Sequence, residues 1–152
     1  MDARFNIGKH ATGAYQAMAA LEVYLRQSGL EESLLHLIKF RASQINGCAY
    51  CIDMHWKDLR AAGVGEQKLY MLDAWREWHE YTDRERAALE WTEAVTRLHD
   101  GEVSDRVYEV ARAQFDDAEL AKLTLAVCAI NSWNRLNIAF RTKAGSYQPK
   151  TL

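Results

Sequence analysis

The chain contains few of the residues that interrupt regular secondary structure. Its 152 residues include one proline, Pro149, and eight glycines. β-Sandwiches and barrels need many turns, and such turns are normally built with glycine and proline. The sequence therefore predicts an all-α fold of long helices with few breaks.

Apolar residues recur at helical spacing between these few turn signals. Thr82 and Glu85 have the spacing of a capping box, which predicts that a helix begins there. We predict seven helices, which span about Thr12–Gln27, Glu31–Ile45, Cys48–Ala62, Glu66–Trp78, Asp83–His99, Ser104–Phe115 and Asp117–Arg141. No repeat or linker divides the chain, so we expect residues 1–152 to form a single domain.

Composition and charge exclude several classes of protein. Apolar residues make up 49% of the chain and charged residues 26%, as in soluble globular proteins. The net charge is −2 and basic residues do not cluster, which argues against nucleic-acid binding. No apolar stretch is long enough to span a membrane. The first twenty residues carry scattered charges and do not resemble a signal peptide, so we expect a cytoplasmic protein.

Residues 43–55, which read SQINGCAYCIDMH, carry the most specific chemical signal. If a helix starts at Cys48, then Cys48, Cys51 and His55 share one helical face. The helix terminus would lower the pKa of the Cys48 thiol. His55 follows Cys51 by one turn as a candidate base, and we expect it to face the surface. Two thiols at this spacing can form a disulfide with little backbone movement, which indicates dithiol/disulfide cycling.

Two other interpretations of this segment stay open. Cys48 and Cys51 could be inert core residues. Alternatively, Cys48, Cys51, His55 and His36 could form a Cys2His2 metal site. Structural zinc usually organises small modules that lack a core, and this chain does not need it, so we predict no metal and no cofactor.

Residues 34–63, with C-x-x-C followed by x-x-x-H behind an Asn-Gly break, resemble the core of the AhpD-like alkylhydroperoxidase/carboxymuconolactone decarboxylase superfamily. Residues 130–141, INSWNRLNIAFR, are similar to the last helix of its short peroxidase-related members. The resemblance implies an AhpD-like helical bundle with the C-x-x-C at a helix N-terminus, assembled as a homo-oligomer, either a trimer or a hexamer.

The resemblance also implies a thiol peroxidase. Cys51 would attack a hydroperoxide, Cys48 would resolve the sulfenic acid to a disulfide, and an external dithiol or protein reductant would regenerate the thiols. His55 would relay protons. Helix-terminus electrostatics instead favour Cys48 as the more acidic thiol, so the assignment of the attacking cysteine stays open.

Two residues depart from the family pattern. His36 stands where the family relay has a glutamate, and Tyr50 stands where the best-known members have a histidine. His36 can pass a proton but lacks a permanent negative charge. The alternative functions are a lyase like γ-carboxymuconolactone decarboxylase, which does not call for a C-x-x-C, and a non-catalytic metal-binding or redox-sensing oligomer.

The last predicted helix is apolar around much of its circumference. It also carries Asn131, Asn134, Arg135 and Asn137, which need partners if they are buried. Contacts between subunits would supply those partners, or these residues lie on a solvated stripe. We expect Cys128, within the same helix, to be a buried small hydrophobe.

Overall fold

The computed structural model describes residues 2–149 and confirms the all-α prediction for that range. The described residues form eight α-helices: α1 (Ile7–His10), α2 (Thr12–Arg26), α3 (Glu32–Asn46), α4 (Ala49–Ala61), α5 (Glu66–Tyr70), α6 (Asp83–Arg97), α7 (Asp105–Arg112) and α8 (Asp117–Phe140). Within residues 2–149, no helix has the length and apolar character needed to cross a membrane.

The largest error in the predicted helices lies between α5 and α6. The predicted helix over residues 66–78 is interrupted, because α5 ends at Tyr70 and a 3-10 turn follows over Met71–Ala74. The change of path places Leu69, Leu72 and Trp75 together in one apolar cluster. Packing thus overrides local helical spacing in this segment.

Two smaller differences occur at helix ends. α7 ends at Arg112 rather than Phe115, whose side chain turns into the core. α1 was not predicted; the side chain of Asn6 caps it by accepting a hydrogen bond from the Gly8 amide. The capping box of Thr82 and Glu85 at the start of α6 is confirmed.

Helix α3 lies at the centre of the packing, against α4, α6 and α8. Its two sides face different apolar clusters. Leu34, Leu35 and Ile38 pack with residues of α6, α7 and α8. Leu37 and Phe40 pack with residues of α4, α5 and the segment that leads into α6. Because α3 is covered on several sides, the turn at its C-terminus has a fixed position in the fold.

That turn is a Schellman motif centred on Gly47. Gly47 has a φ of 71°, its amide donates to the Gln44 carbonyl, and the Cys48 amide donates to the Ser43 carbonyl at 3.0 Å. Glycine adopts this left-handed backbone without the steric cost that a side chain would add. The turn ends α3 and brings Cys48 to the start of α4.

Asparagines of α8 hold this turn in place through a buried polar network. The Asn46 amide nitrogen donates to the side-chain oxygens of Asn131 and Asn134, both at 2.9 Å. Asn134 is fully buried, and its own amide nitrogen donates to Ser43 Oγ at 3.0 Å. The partners of these α8 asparagines therefore lie within the same chain, which corrects the expectation of subunit contacts or a solvated stripe.

A buried carboxylate joins α3 to α6. Glu93 accepts hydrogen bonds from Arg41 Nε at 2.8 Å, Trp75 Nε1 at 2.9 Å and Arg76 Nη1 at 2.9 Å. Burial alone would raise the pKa of Glu93, but these donors outweigh it and lower the pKa to about 2. The carboxylate is therefore ionised across the physiological range and holds two elements of the core together.

We expect Glu93→Gln to lower the free energy of unfolding by about 3 kcal/mol, because the buried Arg41 guanidinium then loses its buried carboxylate partner and keeps the largely exposed Asp73 carboxylate. Urea denaturation at neutral pH measures this change. Glu90→Gln is the matched control on the same helix, since its partner Arg106 is largely exposed; its cost should be about 1 kcal/mol or less. Equal losses in the two variants would contradict the role of Glu93.

Candidate active site

The two cysteines of the C-x-x-C motif lie at the beginning of α4. Cys48 is the N-cap residue rather than a member of the first turn, and Cys51 lies in that turn. The two residues are joined by a disulfide, with their Cα atoms 5.4 Å apart. Both are 1% exposed and pack with Ala42 and Ile130. The predicted spacing thus brings the two sulfur atoms together at a buried helix start.

A cavity of about 1050 Å³ lies beside this pair. Cys51 lines it, together with His36, His55 and Asp58, whereas Cys48 is not among the lining residues. Much of the remaining wall is apolar and comes from Tyr15, Val23, Leu35, Tyr50, Met54, Trp133, Leu136 and Phe140. The cavity therefore combines a sulfur atom and titratable groups with walls suited to an organic molecule.

His36 and His55 face each other across α3 and α4, with their Nδ1 atoms 3.2 Å apart. His36 Nδ1 also lies 3.7 Å from an oxygen of Asp58, and the other Asp58 oxygen accepts a hydrogen bond from Tyr147 at 2.7 Å. His55 is 4% exposed, so the expectation of a surface-facing side chain was wrong. Its ring is buried because α3 packs directly on the inner face of α4.

The sequence interpretation missed Asp58 and Tyr147. Asp58 follows His55 by three residues, so helical spacing alone places both side chains on one face of α4. That signal was available in the sequence. Tyr147 belongs to the segment after α8, whose path depends on tertiary contacts, and helical periodicity does not apply to it.

Burial keeps both imidazoles neutral. Desolvation lowers the pKa of His36; Lys39 lowers it further, and Asp58 and Glu32 act in the opposite direction. The pKa of His55 lies well below its ordinary value, because its ring is desolvated and because His36 and Lys39 lie nearby. A neutral imidazole can accept a proton from a thiol and return it later in the same reaction.

Helix α8 also reaches the sulfur atoms. The side-chain amide of Asn137 donates to Cys51 Sγ at 3.4 Å, one turn beyond the network around Asn134. Tyr50, which replaces the family histidine, packs against the cysteine pair and lines the cavity. Its pKa is raised, mainly by desolvation, so the phenol stays protonated at neutral pH.

The third cysteine, Cys128, is exposed, and the expectation of a buried residue was wrong. It lies on the outer side of α8, whereas Val127 and Ala129 beside it are buried. The high apolar content of α8 concealed which of its positions face outward. Cys128 is therefore apart from the cavity and from the disulfide.

Both ends of the described chain close over the cavity. The Arg4 amide donates to the Phe140 carbonyl at 3.0 Å, and the rings of Phe5 and Phe140 lie 4.1 Å apart. Lys57 on α4 donates to the carbonyl oxygens of Gly145 and Tyr147 at 3.1 and 3.0 Å. Segments distant in sequence thus build part of the cavity wall.

Comparison with known proteins supports the resemblance drawn from the motif. Residues 10–94, more than half of the chain, match the model of the carboxymuconolactone decarboxylase family. The chain belongs to that family. This family member is 40% identical over 146 residues to the uncharacterized protein YdfG of Bacillus subtilis strain 168, a match that covers 96% of this chain and 99% of YdfG.

Solved structures extend the comparison to the fold. ATU0492 from Agrobacterium tumefaciens, a protein of unknown function and candidate antioxidant defence protein AhpD, superposes with a TM-score of 0.91 at 44% identity. The match covers 96% of this family member and all of the other chain. An AhpD core, an uncharacterized peroxidase-related protein from Ralstonia eutropha JMP134, shares the fold with a TM-score of 0.80 at 20% identity, over 91% of this chain and 74% of that one. The predicted AhpD-like fold is thereby confirmed.

The buried imidazoles predict a pH dependence of stability. Below the ordinary histidine pKa of about 6.5 the unfolded chain takes up protons that the folded chain excludes from His36 and His55. The free energy of unfolding should therefore be constant above about pH 7 and fall as the pH decreases below about 6.5, by up to 1.4 kcal/mol per pH unit for each proton.

Urea denaturation between about pH 8 and pH 5 measures this effect, above the range where most carboxylates titrate. The double variant His36→Gln/His55→Gln should lose most of the decrease. His79→Gln is the control, because His79 is exposed, and it should retain the decrease. Identical pH profiles for the double variant and the wild type would contradict the assignment.

Proposed function

We propose that this protein is a thiol-dependent hydroperoxide reductase that cycles through the Cys48–Cys51 disulfide. The observation that carries the proposal is the joined cysteine pair, with Cys51 opening into a largely apolar cavity that also holds two neutral imidazoles. The substrates are an organic hydroperoxide and an external dithiol or protein reductant.

In the first step the Cys51 thiolate attacks the terminal oxygen of the hydroperoxide and breaks the O–O bond. Cys51 becomes a sulfenic acid, and the other oxygen leaves as an alkoxide, which takes a proton and is released as an alcohol. His55 takes the thiol proton before the attack and returns it to the alkoxide. Its lowered pKa keeps the ring unprotonated before the attack and favours return of the proton to the alkoxide.

In the second step the Cys48 thiol attacks the sulfenic sulfur of Cys51. A disulfide forms, and the hydroxyl group leaves as water. Because the Cα atoms lie 5.4 Å apart, this step needs little backbone movement. A dithiol then reduces the disulfide by thiol–disulfide exchange and is itself oxidised, which restores both thiols.

The geometry favours Cys51 as the attacking residue. Cys51 lines the cavity and accepts a hydrogen bond from Asn137, a contact that would stabilise a thiolate. Cys48 does not line the cavity and lies behind it at the N-cap. These contacts support the family order of attack, in which Cys51 reacts first.

In the proposed proton relay, a carboxylate of α4 takes the place of the glutamate that the family has on the preceding helix. His36 occupies the family glutamate position, and Asp58 of α4 lies 3.7 Å from its Nδ1 atom. We assign Asp58 the role of stabilising the proton while it resides on the imidazole pair. Tyr147 donates to the far oxygen of Asp58 and fixes the orientation of the carboxylate.

A lyase remains the second candidate because the matching family is described by a decarboxylase. A decarboxylation does not require two joined cysteines, so the two functions differ in their dependence on thiols. Decarboxylation of γ-carboxymuconolactone by the protein, unchanged in a Cys48→Ser/Cys51→Ser variant, would favour the lyase.

We expect Cys51→Ser to abolish consumption of an organic hydroperoxide in the presence of a dithiol. Cys48→Ser should complete a single reaction and then stop as a sulfenic acid, because the resolving thiol is missing. Mass spectrometry with a sulfenic-acid reagent measures the trapped species. Cys128→Ser is the control and should retain full turnover, since Cys128 is exposed and does not line the cavity.

In the wild type, mild oxidation should remove two thiols per chain and leave Cys128. Retention of all three thiols after peroxide treatment, or full turnover by Cys51→Ser, would refute the proposed cycle.

We also propose that the chain assembles as a homo-oligomer, a trimer or a hexamer. The α8 asparagines do not support oligomerisation, since their hydrogen-bond partners lie within the same chain. The remaining support is the family resemblance and large apolar side chains exposed on α2 and α8, among them Val23 and Tyr24 on α2 and Leu125 and Ile138 on α8.

Light scattering coupled to size exclusion tests the assembly at micromolar concentration. We expect a mass of three or six times 17.4 kDa. Replacement of the exposed Leu125 by arginine should reduce the mass if α8 forms the interface, whereas a wild-type monomer would contradict the proposal.

A further inference from the structure

The imidazole pair and Asp58 form a compact set of metal-type ligands beside the disulfide. His36, His55 and Asp58 each present one nitrogen or oxygen, and these three atoms lie within 4.8 Å of one another. The two Nδ1 atoms are 3.2 Å apart, and His36 Nδ1 lies 3.7 Å from the Asp58 oxygen. Ligands bound tetrahedrally to zinc at about 2.0–2.1 Å lie roughly 3.3 Å apart.

We propose that His36, His55 and Asp58 bind a divalent transition-metal ion such as Zn²⁺, with the open coordination positions directed into the cavity. The set differs from the Cys2His2 arrangement weighed from the sequence, because the two sulfur atoms are joined to each other. Two imidazole nitrogens and one carboxylate oxygen suit zinc and its transition-metal neighbours, whereas Mg²⁺ prefers oxygen ligands.

The two imidazoles are incompletely satisfied by protein groups. Between the facing Nδ1 atoms only one proton can be shared, whereas a cation accepts the lone pairs of both. His55 is 4% exposed, and its Nε2 atom has no hydrogen-bond partner in the part of the chain that the structure describes. Nε2 is the ring nitrogen opposite the proposed ligand atom, so it carries the proton of the neutral ring when Nδ1 binds a cation.

The surrounding charges favour a cation. Asp58 contributes one carboxylate, and Glu32 places a second within 3.8 Å of His36 Nε2. The nearby ammonium of Lys39 is paired with the carboxylate of Glu22. Two carboxylates therefore lie beside the imidazole pair, and the nearest ammonium is already paired, so a divalent ion would balance their negative charge.

Neighbouring side chains contact two of the three proposed ligands, Asp58 and His36. Tyr147 donates to one Asp58 oxygen at 2.7 Å and leaves the other, which faces His36, free to bind. The Glu32 carboxylate lies 3.8 Å from the opposite nitrogen of His36, on the side from which a carboxylate orients a metal-binding histidine. Side chains of His36 and Asp58 are partly exposed to the cavity, which provides an entry path.

A bound ion would occupy the nitrogens that pass protons in the proposed reductase, so the metal would inhibit that activity. This consequence rests on the proposed function. The binding site itself does not, and its test uses protein that needs no turnover.

The test uses the full chain with Cys128→Ser and with Cys48 and Cys51 oxidised, so that no thiol can bind metal. Calorimetric titration with Zn²⁺ should give one ion per chain. Co²⁺ should give visible absorption bands without a thiolate charge-transfer band. His36→Ala and Asp58→Asn should abolish saturable binding, and His79→Ala, which alters an exposed histidine, should retain it. Mg²⁺ in excess should not displace Zn²⁺.

Tyr147→Phe provides a milder variant, and it should weaken Zn²⁺ binding by about 10–100-fold without removing a ligand. Thermal unfolding without metal checks that each variant is folded. The proposal is overturned if protein with His36, His55 and Asp58 intact shows no saturable Zn²⁺ binding. It is also overturned if Zn²⁺ binding persists in folded His36→Ala or Asp58→Asn protein. A protein that binds Zn²⁺ but lacks peroxidase activity would refute the proposed function alone.

Discussion

The arrangement of the site depends on the buried hydrogen bonds between the end of α3 and the middle of α8. Asn134 is fully buried and has its polar atoms satisfied by Asn46 and Ser43. A buried amide is costly without partners, so the network tolerates few alternative registers between the two helices. It fixes the Gly47 turn, and the turn fixes where α4 begins. One helical turn further along, the same face of α8 places Asn137 against the sulfur of Cys51.

The chemistry of the cavity follows from placing two imidazoles close together and away from water. Desolvation and mutual proximity disfavour the protonated rings, as the low pKa of His55 reflects. Nearby carboxylates limit this effect at His36, where Asp58 and Glu32 oppose the downward shift of its pKa. The pair therefore has lone pairs available at neutral pH. A proton and a transition-metal ion compete for the same lone pairs, so the proposed relay and the proposed metal site rest on one geometry.

Periodicity and motif spacing were sufficient for the main features of the fold. The scarcity of proline and glycine predicted the helical class, and the C-x-x-C-x-x-x-H spacing predicted that Cys48, Cys51 and His55 share one face. Burial was harder to predict, because it depends on which helix packs against which face. His55 was expected at the surface, yet α3 covers it; Cys128 was expected inside, yet its position on α8 faces outward. The segment at residues 71–78 followed core packing rather than its own helical pattern.

The position of Tyr147 beside Asp58 could not be predicted from local sequence. Its phenol reaches Asp58 from a non-helical segment, whose path is defined by hydrogen bonds to Lys57 and Asp53 of α4. The Asp58 position was accessible in principle, because it shares the inner face of α4 with His55. His36 stands at the family glutamate position. Its identity gave no indication that the carboxylate of Asp58, on another helix, would lie beside it.

The position of the cavity wall has a consequence for synthesis of the chain. A ribosome makes a protein from its N-terminus, at about 5–20 residues per second. The C-x-x-C pair of α4 is therefore made well before α8, which supplies Ile130 and Asn137 around it, and before residues 141–149, which complete the wall. Until those last segments dock, both thiols of the nascent chain are open to water and to any oxidant or thiol nearby. The cavity beside the cysteine pair is therefore complete only after residues 141–149 have been made.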